Sequence, residues 1–168
     1  MTIEHFWHLI EQSCAADERG ENQIACLDNL VKNLSPREMI SFEGHCWDLM
    51  SIAFRRELWA VATIIEPGCN QASFDSMRAW LILRGRNVFD KIVSDPEKIV
   101  DCIPPKTIPW FHSGESLLRI VPANYRTLVG DEMPTVPRKV PYILKGNRWT
   151  EPDLPALYPS LWRFYRGG

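Results

Sequence analysis

Apolar residues recur at helical spacing along most of this chain. In the segment 2–15, Ile3, Phe6, Trp7, Ile10 and Cys14 fall on one side, behind Thr2 as N-cap. The segment 22–34 repeats the pattern with Ile24, Leu27, Leu30, Val31 and Leu34, and Lys32 near its end suits the helix dipole. Ser35-Pro36-Arg37-Glu38 is a capping box with proline at the first helical position. It opens a third helix whose buried stripe is Met39, Phe42, Cys46, Leu49, Met50 and Ala53.

The run 58–65, Leu-Trp-Ala-Val-Ala-Thr-Ile-Ile, is apolar all round. Periodicity alone does not separate a buried strand from a buried helix there; its helical neighbours favour a short central helix, stopped by Glu66-Pro67-Gly68. Ser73 then reads as the cap of the longest helix, over 74–94, with Phe74, Met77, Leu81, Gly85, Val88 and Ile92 inward. Asp95-Pro96 starts a short helix that ends near Cys102. A proline-broken connector over 103–112 leads to a helix over 115–129, interrupted by Pro122 and ended by Gly130. Gly114 and Gly130 read as ordinary loop glycines.

From 131 onward the pattern changes. Six prolines alternate with Tyr142, Trp149, Tyr158, Trp162, Phe164 and Tyr165. A free linker would not carry so many aromatics, so the segment reads as an irregular arm packed over the helices, closed by a helical turn over 159–164. The expectation is an all-α, compact domain of about seven helices: one domain over 1–168, with a helical core over about 2–130 and the arm over 131–168.

Composition narrows the function classes. The chain has 168 residues, enough for a core without metal or disulfide staples. Its 19 Lys and Arg against 21 Asp and Glu argue against a general nucleic-acid binder. No apolar run is long enough for a membrane helix, and the start, Met-Thr-Ile-Glu-His-Phe-Trp-His, is no signal peptide. Cys14, Cys26, Cys46, Cys69 and Cys102 form no C-x-x-C pair, so reduced thiols in a cytoplasm are expected, with no cofactor and no metal.

Several pieces carry a family resemblance: Phe6-Trp7-His8-Leu9-Ile10-Glu11, Leu58-Trp59-Ala60, the block from Phe74 through Arg78, Trp80 and Arg84-Gly85-Arg86, then Asp95-Pro96, Trp149 and Pro159-Ser160-Leu161-Trp162. With these the chain resembles a bacterial family known as domain of unknown function 4240. The arginine–tryptophan–glycine–arginine block is the most specific piece. Where the family often has adjacent acids before Phe74, this chain has Asn70-Gln71-Ala72. The resemblance implies a compact helical fold and no particular activity.

Arg78 and Arg84 stand at the edge of an apolar sector, where a guanidinium must be paired or must snorkel. A structural reading pairs them with Asp75, Glu57, Glu11 or a carbonyl. A functional reading makes Arg78, Arg84 and Arg86 an anion pocket, although Asp90 stands four residues from Arg86 to pair with it. Trp149, in an irregular segment, is a further candidate binding residue. Glu4, His8 and Glu11, with His5 nearby, share a side of the first helix, but it is the solvent side and not a metal site. His45 and Cys46 are adjacent and point apart, against a Cys–His pair. Trp7, Trp47, Trp59 and Trp80 read as core. Neither a phosphate-binding loop nor a hydrolase elbow is present.

These features predict a non-catalytic cytoplasmic binding or regulatory protein, such as an immunity-type neutraliser of a partner protein; a mildly acidic helical surface can mask a basic partner. The competing expectation is an enzyme acting on an anionic or phosphorylated substrate through the arginine pocket, with His45 or His8 as base. A nucleic-acid accessory module is a third reading.

Overall fold

The computed structural model describes residues 1–15, 22–105, 110–137 and 143–167. Its elements are α1 (Ile3–Ala15), α2 (Gln23–Lys32), α3 (Pro36–Ile52), α4 (Arg56–Ile65), α5 (Gln71–Leu83), α6 (Arg86–Ser94), a 3-10 helix over Pro96–Asp101, α7 (Trp110–Val129), a 3-10 turn over Glu151–Asp153, α8 (Leu154–Leu157) and α9 (Pro159–Arg166). The fold is all-α, with more and shorter helices than the seven read from the pattern. Among the described residues the one bridge between extended segments pairs Arg55 with Lys145.

The capping box forms as written. The Ser35 hydroxyl accepts from the Glu38 amide, and the Glu38 carboxylate takes the Ser35 N–H at 2.9 Å. The apolar run is α4, which begins two residues earlier than its apolar stretch and buries Leu58 and every residue from Ala60 to Ile65.

The single helix expected over 74–94 is two. Its start lies further back, because Asn70 and not Ser73 is the cap: the Asn70 side-chain oxygen takes the Ser73 N–H at 3.0 Å. Its middle breaks at Gly85, which adopts φ +84°. The amides of Arg84 and Gly85 turn back to Leu81 and Ile82, the tightened bonding that ends a helix. Both halves keep apolar stripes, so periodicity ran through a break that only backbone conformation reveals.

α7 begins at Trp110, ahead of the expected 115, and so is the longest helix; residues 106–109 of the connector lie outside the described residues. Gly114, expected in a loop, sits inside α7 at its closest approach to α5. A Cβ there would lie 2.7 Å from the Ser76 carbonyl carbon and closer still to its oxygen. The α5–α7 pair is the most extensive helix contact in the molecule, and the missing side chain is what lets the two backbones meet.

One hydrophobic cluster joins α1 through α9. The segment from 143 to 167 belongs to it: Leu154 and Leu161 are each 1% exposed. It is more helical than the irregular arm expected, and it does a local job. α4 has no side-chain cap. The Lys145 carbonyl accepts the Arg56 N–H at 2.7 Å, and the Trp149 indole donates to the Arg56 carbonyl at 2.8 Å. The arm thus caps α4 from about ninety residues away, while Tyr165 donates to the Ile103 carbonyl at 2.8 Å.

Candidate functional site

Arg78 lies on α5 with 2% of its surface exposed. Its guanidinium donates to the Met50 carbonyl at the end of α3 and to the Asp75 carboxylate one turn back on α5. The guanidinium carbon stands 4.9 Å from the Phe54 ring and 5.0 Å from the Phe74 ring, a placement that replaces hydration with aromatic faces. Burial pulls its pKa down, and the adjacent Asp75 charge opposes that. Among the described residues, its Nε has no hydrogen-bond partner.

Arg84 closes α5. It donates to the Gln23 side-chain oxygen and lies over the Trp80 ring at 5.4 Å. Gln23 is itself buried and donates to the Leu83 carbonyl at 2.7 Å and to Ser13 at 3.3 Å, which ties α1, α2 and α5 together. Arg86 is exposed, 3.7 Å from Asp90. Arg84 and Arg86 share a shallow concavity of about 350 Å³ with Glu11, Cys14 and Gly85. Arg78 and Trp149 do not line it. The four candidate binding residues are therefore not one constellation: Arg78 serves α3 and α5, Arg84 and Arg86 meet beside α6, and Trp149 holds α4.

His5 and His8 are exposed on α1, with Glu4 and Glu11. The His45 Nε2 is 3.2 Å from the Met1 carbonyl oxygen, while Cys46 is buried. Burial raises the Cys46 thiol well above its ordinary value, raises Cys102, and pushes Cys69 up to about 11. These thiols are kept protonated, the opposite of an activated nucleophile. Among the described residues no three His, Cys, Asp or Glu side chains converge as a metal site.

Another concavity lies between the start of α5 and α7. It encloses about 430 Å³. Three carboxylates reach it from three parts of the chain: Glu66 after α4, Asp75 on α5 and Glu115 on α7. Each is oriented. Glu66 accepts from the Ser73 hydroxyl, Asp75 from Arg78 and Gln71, and Glu115 from Arg119. Asn70 and Ser76 add polar groups, and Leu118 adds an apolar wall. Asp75 is the residue that joins this cleft to the buried arginine. Sequence reading weighed Asp75 only as a counter-charge and missed Glu66 and Glu115, which sit 49 positions apart by number. A helical-wheel argument for α7 would have placed Glu115 on its outer face, but not opposite α5.

A second, more open groove flanks α7 on its other side, against α2. It encloses about 530 Å³ between Ile24, Ala25 and Asp28 on α2 and Ile120 and Ala123 on α7. Arg119 lines both concavities.

Among the described residues no helix is long and apolar enough to cross a membrane. A family model described as "Protein of unknown function (DUF4240)" matches residues 1–127. Comparison with curated proteins and with solved structures finds no match. The chain belongs to the family of domain of unknown function 4240.

Proposed function

We propose that this member of the family is a non-catalytic binding protein, of the regulatory or neutralising kind, whose recognition face is the acidic cleft between α5 and α7. The observation that carries the reading is the Asp75 carboxylate, held at the cleft by an arginine that is almost wholly inside the core. Burying a guanidinium is costly unless it is well paired, and here the pairing also fixes the direction of one carboxylate. Two further carboxylates, each with its own donor, make the cleft a preorganised receptor for positive charge. Masking of a basic partner, in the manner of an immunity protein, is the role this chemistry fits. Five free thiols suit a reducing compartment such as the cytoplasm.

The arginine-pocket alternative keeps one observation in its favour, the concavity shared by Arg84 and Arg86. Against it, Arg78 is engaged with Asp75 and Met50, Arg84 with Gln23, and Glu11 adds negative charge to the same concavity.

The two readings differ in their response to phosphate. Thermal unfolding is followed with and without inorganic phosphate at constant ionic strength, together with hydrolysis of a chromogenic phosphate ester. The binding reading expects a phosphate-independent Tm and no turnover. A rise in Tm with phosphate that disappears in Arg84→Gln/Arg86→Gln, or turnover lost in the same variant, establishes the arginine pocket instead.

A further inference from the structure

We draw no further inference here: the strongest candidate, the surface patch on α8 and α9 where Leu157, Arg163, Phe164 and Arg166 are exposed, is an uncovered face for which nothing in the structure shows what occupies it.

Discussion

Arg78 holds the Asp75 carboxylate from inside the core. One nitrogen of the guanidinium serves that carboxylate and another serves the Met50 carbonyl. The same side chain thus joins the end of α3 to the mouth of the α5–α7 cleft.

Replacing Arg78 tests that double role. Arg78→Ala leaves the Met50 carbonyl without its side-chain donor, removes the cation paired with Asp75, which keeps only Gln71, and opens space between Phe54 and Phe74. The expected loss is about 2–4 kcal/mol of unfolding free energy, measured by urea denaturation, with no response of the variant or the parent to phosphate. A neutral substitution would remove the structural role assigned here.

The α5–α7 contact predicts opposite effects for two helical glycines. At Gly114 an added methyl meets the Ser76 backbone, so Gly114→Ala should cost about 2–3 kcal/mol through overpacking. At Gly44, inside α3, the nearest neighbour of an added Cβ is a Val136 methyl at 3.5 Å, an ordinary contact. Gly44→Ala should stabilise by about 0.5–1 kcal/mol through helix propensity. Urea midpoints moving in the same direction for the two variants would contradict the packing described.

The arm beyond the family match is expected to be part of the folded core. Leu161 is fully buried, so Leu161→Ala should cost about 2–4 kcal/mol. Tyr165→Phe removes the hydrogen bond to Ile103 and should cost about 1 kcal/mol. An arm that merely drapes over the surface would leave both variants as stable as the parent.

Alkaline pH should destabilise the protein through its thiols. The Cys69 pKa is raised by burial and by the nearby Glu66 charge from 9.0 to about 11. Between those values the folded thiol keeps a proton that the unfolded thiol has lost. The stabilisation is therefore present below pH 9 and declines as pH rises toward 11. Tyr165, pushed up to about 12 chiefly by burial, extends the decline. Cys69→Ser should flatten the lower part of this slope in a urea-midpoint series; a Cys69 thiol that reacts rapidly with a disulfide reagent at pH 8 in the folded protein would argue against the half-buried, protonated state.

Helix identity was legible in the sequence because its causes are local. A capping box needs residues three apart, and a stripe needs residues three and four apart; both are complete in the chain before it folds, as at 35–38 and along α3. The need of Arg78 for a partner was equally legible, since a cation beside Phe74 in an apolar sector must be compensated. The break at Gly85 was not, because both sides of it continue the same apolar stripe and only a positive φ separates them. Nor was the role of Gly114, since a glycine's meaning there is the carbonyl it approaches on another helix. The cleft belongs wholly to the tertiary structure. Glu66, Asp75 and Glu115 each look like a solvated charge, and they come to line one cleft only when the absence of a side chain at Gly114 lets α7 close onto α5, bringing together carboxylates that no spacing in the sequence connects.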